Sequence, residues 1–449
     1  MSKQTTPTRS ILYYFFPEFI VALVLYTMVG LIDAQCVAHL KSTSCYATLG
    51  VTNTLILFIN KLAEGISVGA VIMCGMYHGQ KNNSMVGKAA TAALWATTLV
   101  GCSIASFLYL NAENIYRWLR IPESMFADGV PFLQIRALGI AFLFLFSALI
   151  GFLRGVKNTR AGMYFFVLGA VVFIFFDYAL IFGMFGFPEL GFQGSAVAFA
   201  LQYITMFCAA LIYILLKPEY SVYGINLTKS SWPLVKAMFR LSWPVTADKA
   251  ALQIEKLWMV RLIAPMGSAV LGGMNVIKDM EALAFVPAIA FGQVVTLLAS
   301  NEMGAGNFTT VKNNTRLIMG MAIGMVAVLV GIFMLNAQSI ISIFDRQNSF
   351  TQFALTAFPI AGLLLFFDLV QVILAGALRG TGNVRVVMWV RIITAGAFFI
   401  PLSYGASLIP CENGVMKFML IYGSFNLVNG LASIAYLYWF RSGRWLPRW

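Results

Sequence analysis

The sequence predicts an all-α integral membrane protein: twelve transmembrane helices in two six-helix lobes, related by a pseudo-two-fold axis along the membrane normal. Three observations carry that prediction: an apolar composition with few charges, apolar runs of about 20 residues along the whole chain, and an internal repeat that sorts those runs into two sets of six. Of the 449 residues, 60% are apolar and 10% are charged, against roughly half and a quarter in a soluble domain. No stretch remains for a soluble domain. The opening MSKQTTPTRS is polar, and the apolar segment behind it is too long for a signal peptide and lacks a small-residue cleavage site. It reads as the first permanent span.

The expected spans of the first half lie at about 11–38, 47–76, 88–112, 127–153, 162–184 and 191–216, and those of the second at about 240–264, 268–299, 315–336, 352–378, 386–410 and 415–440. Residues 1–216 then form the first lobe, 217–239 a cytoplasmic linker, and 240–449 the second lobe with a short cytoplasmic tail. An even number of spans puts both termini on one side, and most of the 30 Lys and Arg residues fall in or beside loops on that side. By the positive-inside rule both termini are cytoplasmic. The net charge of +13 is thereby a topology signal, and no nucleic-acid partner is expected. The six cysteines (Cys36, Cys45, Cys74, Cys102, Cys208, Cys411) form no CxxC pair and mostly fall inside spans, so neither a disulfide framework nor a zinc site is indicated.

The repeat is carried by loops. Gly151-Phe-Leu-Arg-Gly-Val-Lys-Asn-Thr-Arg-Ala-Gly-Met163 matches Gly376-Ala-Leu-Arg-Gly-Thr-Gly-Asn-Val-Arg-Val-Val-Met388 at 7 of 13 positions. The offset that carries Gly151 onto Gly376 also aligns Gly79, Asn82 and Val86 with Gly304, Asn307 and Val311. Because six is even, both halves enter the membrane in the same sense, a parallel repeat, and transporters of that build place substrate where the halves meet.

These loops, with Val29-Gly-Leu-Ile-Asp33, Asp177-Tyr-Ala-Leu-Ile-Phe-Gly183, Gly186-Phe-Pro188, Gly194-Ser-Ala-Val-Ala198 and Gly304-Ala-Gly-Asn307, resemble those of multidrug and toxic compound extrusion (MATE) transporters of the MOP flippase superfamily. The resemblance spans essentially the whole chain. It implies a secondary active antiporter that exports small organic, cationic or amphipathic compounds in exchange for protons or sodium by alternating access. It further implies a small-molecule substrate, a bilayer as the other partner, a monomer, and multi-pass residence in the plasma membrane, the inner membrane if the source is bacterial. The coupling ion is the only cofactor expected. A flippase for a lipid-linked substrate, from the same superfamily, is the alternative. With His39 and His78 as the sole histidines, no P-loop and no long loop, an enzyme is not expected.

Ionisable groups inside spans are costly and by default functional. Asp33 lies near the outer end of the first span and Asp177 slightly deeper on the fifth; both match carboxylates that the family uses for proton or sodium handling. The Asn one turn before Asp177 is here Phe173, and a sixth-span Thr is Phe199, which counts against an ion site built wholly in this lobe. In the other lobe, Glu255 on span seven and Asp368 on span ten match the pair that binds the coupling ion in NorM-like and eukaryotic branches. Sodium, where bound, would sit there. Two carboxylates in a low dielectric repel unless a proton or cation joins them, which is the chemistry of an exchanger.

Further charges surround that pair: Asp248 and Lys249 beside Glu255 and Lys256 on span seven, and Lys278, Asp279 and Glu281 on span eight. Lys278 or Lys249 is expected to pair with Glu255, Glu281 or Asp368 as a tethered counter-ion. On span two, Asn60, Lys61 and Glu64 have the spacing of a local pair. Arg136 on span four reads equally as a headgroup contact or a cavity residue, and Arg154 and Arg379 of the repeated loops as loop-fixing or lipid-phosphate contacts. Pro17, Pro244 and Pro287 fall inside spans, where each frees a backbone carbonyl, and Pro401 is expected to break span eleven. Since Asp33 aligns with Trp258 and Glu255 with Gly30, the halves share a scaffold but not their charges, which points to the second lobe for coupling.

Overall fold

A computed structural model describes residues 7–24, 30–40, 43–118, 123–226, 231–344, 350–411 and 414–446. Val29 of the first-span motif, and residues 25–29 within the expected first span, lie outside the described residues. Among the described residues there are helices and turns but no strands. That is what a bilayer demands, since a helix satisfies its own backbone groups where water cannot.

The first half comprises α1 (Pro7–Leu23), α2 (Gly30–Ala38), α3 (Thr43–Gly79), α4 (Asn83–Leu110), α5 (Ala112–Trp118), α6 (Phe126–Gly155), α7 (Thr159–Phe182), α8 (Phe192–Leu216) and the single turn α9 (Pro218–Ser221). The second comprises α10 (Trp232–Ile263), α11 (Ser268–Gly304), α12 (Phe308–Leu335), α13 (Ala337–Phe344), α14 (Thr351–Gly380), α15 (Val384–Ile393), α16 (Ile400–Leu408) and α17 (Gly414–Arg441). Shifted by the offset of the sequence repeat, the boundaries of α3, α4 and α6 fall on those of α11, α12 and α14.

Ten helical stretches among the described residues are long and apolar enough to cross a membrane: α3, α4, α6, α7, α8, α11, α12, α14, the run 384–408 and α17. The other two expected spans differ for identifiable reasons. The first is divided between α1 and α2 by residues outside the description, and α10 carries too many ionisable groups, Asp248, Lys249, Glu255, Lys256 and Arg261 among them, to qualify by apolarity. Span eleven is not broken at Pro401 as expected. A π-helical stretch, Thr394–Phe399, widens the helix just ahead, and Pro401 follows it within the continuous run 384–408.

The chain forms two compact units: residues 20–246, and residues 1–19 with 247–449. This partition differs from a division at 217–239. Ile11 and Phe15 of α1 are buried with the core of the second unit, where the Phe15 ring stacks on Phe291 at 4.1 Å. Conversely, Val235 and Met238 of α10 belong to the core of the first.

In the first unit α6 is central, packing on α3, α4 and α8; in the second, α14 packs on α11, α12 and α17. The repeated glycines explain how closely these helices cross. A Cβ on Gly155 would meet Cys74 Cβ at 2.7 Å, and one on Gly380 would meet the Thr296 carbonyl oxygen at 2.6 Å. The pairs Gly151/Gly155 and Gly376/Gly380 are thus small-xxx-small packing stripes, the usual device for bringing membrane helices together. Beyond each, the chain reverses through a left-handed residue, Lys157 at φ 64° and Gly382 at φ 84°. Asn158 then caps α7, its side chain accepting the Ala161 N–H at 3.1 Å.

Candidate functional site

In the first unit, α2, α3, α6, α7 and α8 bring together the charges that the sequence placed on separate spans. Arg136 of α6 donates from Nη2 to Asp33 Oδ2 at 3.1 Å and to Ser195 Oγ at 3.1 Å, and from Nη1 to Asn53 Oδ1. Ser195 in turn donates to Asp33 Oδ1 at 2.7 Å. The guanidinium also lies over the rings of Phe132, at 4.5 Å, and Phe199, at 5.1 Å. Arg136 is only 2% exposed, so it is neither a snorkelling headgroup contact nor a surface charge. Its burial is sustained by a carboxylate, two neutral acceptors and two aromatic faces. The Phe at position 199, which removes an oxygen ligand, supplies one of those faces.

Asp177 of α7 is fully buried beside this cluster, with the Cys36 thiol and the Asp33 carboxylate alongside. Neither of its oxygens accepts an N–H or O–H hydrogen bond; the Cys36 thiol is the hydrogen-bonding group beside it. Arg136 neutralises Asp33 but does not bond Asp177. A buried carboxylate without an N–H or O–H donor is completed only by a proton or a cation.

In the second unit Glu255 and Asp368 are brought together with other charged and polar groups between them. Arg391 of α15 reaches Glu255 Oε2 at 3.3 Å and Asn429 Oδ1 at 2.6 Å through Nη1, and its Nε lies 3.5 Å from Asp248 Oδ1. Asn429 donates to Asp368 Oδ1 at 2.6 Å. Arg379 is ion-paired with Asp248, which replaces the expected loop or lipid role. One oxygen of Glu255 and one of Asp368 are engaged by a guanidinium and an amide, and the guanidinium's charge opposes a second cation there, so the residues present do not fit that ion.

Glu255 is held by Arg391 where a lysine was expected. Glu281 accepts a hydrogen bond from the Tyr422 hydroxyl. Lys278 is half-buried one turn from Glu281 and, among the described residues, has no carboxylate within ion-pair distance. Lys249 is partly buried and Asp279 exposed. Lys256, one residue beyond Glu255, acts electrostatically on Glu255, Glu281 and Asp368. Lys61 and Glu64 form the local pair expected, at 3.0 Å.

Sequence reasoning missed Arg391, Asn429, Tyr422, Asn53 and the pairing of Arg136 with Asp33. One signal was available: Arg391 falls a turn and a half inside span eleven, deep enough to need a partner.

The profile of the MatE family matches residues 19–179 and 244–405. The starts of the two matches are separated by the same offset as the repeat. The chain is 25% identical over 386 residues to the probable multidrug resistance protein NorM of Thermotoga maritima, covering 85% of this chain and 82% of that one. It is 24% identical over 391 residues to the multidrug resistance protein PmpM of Pseudomonas aeruginosa, covering 85% and 80%. Among solved structures, a MATE protein in its bent conformation superposes with a TM-score of 0.88 at 16% identity, over 98% of this chain and 95% of the other. A MOP superfamily transporter from Pyrococcus furiosus does so with 0.87 at 16%, over 98% and 96%. The fold is the twelve-helix, two-lobe arrangement of those transporters. The duplicated scaffold, the family profile found once in each half and the shared fold make this chain a member of the MatE family of membrane transporters.

Proposed function

We propose that the protein is a secondary active antiporter that exports small organic, cationic or amphipathic compounds in exchange for protons, by alternating access. Family membership and the likeness to the multidrug resistance proteins NorM and PmpM support the export of drug-like molecules. One observation carries the choice of ion: Asp177 is fully buried with no N–H or O–H donor on either oxygen, only the weak Cys36 thiol, beside an Asp33 already neutralised by Arg136. A proton completes Asp177 with no further ligand, whereas sodium would need several oxygens where the groups alongside are a thiol and an Asp33 carboxylate already bonded to Arg136 and Ser195. In this reading a proton joins Asp177 on the outer side and leaves it on the inner side. The Arg136–Asp33 pair remains fixed and sets the local field. The bias of Lys and Arg toward one side supports cytoplasmic termini, and the relatives' bacterial sources support the plasma membrane. We further propose that one chain suffices for transport.

The test is export from proteoliposomes under an imposed proton gradient, comparing wild type with Asp177→Asn. The variant should still bind substrate but lose gradient-driven export. Undiminished export by Asp177→Asn, or a wild type driven by sodium and indifferent to the proton gradient, would overturn the proposal.

A further inference from the structure

The second unit holds a cluster of charges that the proton reading leaves unused. Asp248 and Glu255 on α10, Asp368 on α14, Arg379 at the end of α14, Arg391 on α15 and Asn429 on α17 form one connected network. Asp248, Glu255 and Arg391 are each no more than 3% exposed. The Arg391 side chain is surrounded by three oxygens from two helices: Glu255 Oε2, Asn429 Oδ1 and Asp248 Oδ1. Two carboxylates and an amide carbonyl form a hard, anionic oxygen set, which suits a small alkali cation. Glu255 Oε1 and Asp248 Oδ1 make no hydrogen bond, so the guanidinium leaves coordinating capacity unused.

We propose that Arg391 is a built-in substitute for a monovalent metal cation: its guanidinium occupies the oxygen cage of Asp248, Glu255 and Asn429, and makes this lobe unable to bind sodium. Arg391 is thereby a specificity-determining residue for the coupling ion. A tethered cation cannot be exchanged across the membrane, so the network is held in one charge state while coupling proceeds elsewhere. The neighbouring Lys256 adds positive field and further disfavours a mobile cation. This inference deepens the proton reading above, but its own readout is sodium binding, which is independent of transport.

The experiment measures binding of radioactive sodium to purified protein in detergent. Wild type should show no saturable binding. Arg391→Met, which keeps length and volume but removes the charge, should acquire saturable binding, and adding Glu255→Gln should abolish it. Arg391→Lys, which keeps a cation, should stay sodium-blind. Saturable binding by wild type that Glu255→Gln removes, or a folded, monodisperse Arg391→Met that binds none, overturns the proposal. Should Arg391→Met fail to fold, Arg391→Gln takes its place. Wild-type melting in sodium and in choline is measured alongside: equal melting supports the proposal, and a sodium-specific rise abolished by Glu255→Gln overturns it. Sodium-blind wild type with a sodium-binding variant, but no proton-driven export, would leave the Arg391 assignment standing and remove the proton reading.

Discussion

Replacing Arg136 by Met tests how far the first unit depends on one buried ion pair. The substitution keeps most of the side-chain volume and the contacts with Phe132 and Phe199, but removes the three hydrogen bonds to Asp33, Ser195 and Asn53. It leaves Asp33, 4% exposed, with the Ser195 hydroxyl as its remaining bonded donor. Breaking a buried pair by deleting one partner costs about 3–5 kcal/mol, because the other charge is left uncompensated. Asp33→Asn should cost less, about 1–3 kcal/mol, since Arg136 keeps two neutral acceptors and two aromatic faces. The double variant Asp33→Asn/Arg136→Met removes both charges and should be more stable than Arg136→Met alone, with a coupling of about 1–3 kcal/mol. Reversible unfolding in mixed detergent micelles gives all four values. A loss below about 1 kcal/mol for Arg136→Met, or a double variant no better than the sum of the singles, would refute the view that the pair is a closed, mutually dependent unit.

Three other substitutions probe the scaffold and the buried Glu281. Gly380→Ala places a methyl 2.6 Å from the Thr296 carbonyl oxygen and should cost about 1–3 kcal/mol or prevent folding. By contrast, Gly162→Ala meets nothing closer than Ile150 Cδ1 at 3.7 Å and should gain about 0.5–1 kcal/mol from helix propensity, read in the same unfolding assay. Tyr422→Phe deletes the hydroxyl that donates to the buried Glu281. It should cost about 1–3 kcal/mol, and Glu281→Gln in that background should restore part of the loss.

Much of the scaffold was legible because it is periodic. Apolar runs set the spans, and one offset over two loops exposed the duplication, which the helix boundaries repeat. Local pairs were legible too: Lys61 and Glu64 lie three residues apart on one helix, a spacing that fixes proximity without a fold. The partners of Asp33 and Glu255 were not. Arg136 is 103 residues from Asp33, and Arg391 is 136 residues from Glu255. Which helix face meets which depends on crossing geometry, and that is set by glycines whose spacing reads in sequence as a loop signal. Residues that look like losses in isolation, such as Phe199 in place of a hydroxyl, acquire meaning only with the guanidinium they cover. Segmentation also hid Arg391, because near a span end a cation reads as topology.

The partition of the chain bears on the order in which the protein can be made. The first unit is complete only when residues up to 246 are present, since Val235 and Met238 lie in its core, and the second needs Ile11 and Phe15 from the opposite end of the chain. Neither half of the duplicated sequence therefore closes on itself. During synthesis the first turns of α1 wait until α11 emerges, after the whole of the first unit has been made, before their apolar face is covered. Severed in the segment between α9 and α10, each fragment would lack a piece of its own core and carry a piece of the other's. The two would mature only as a pair, and a nascent chain arrested near residue 230 would present unfinished surface to quality control in the membrane.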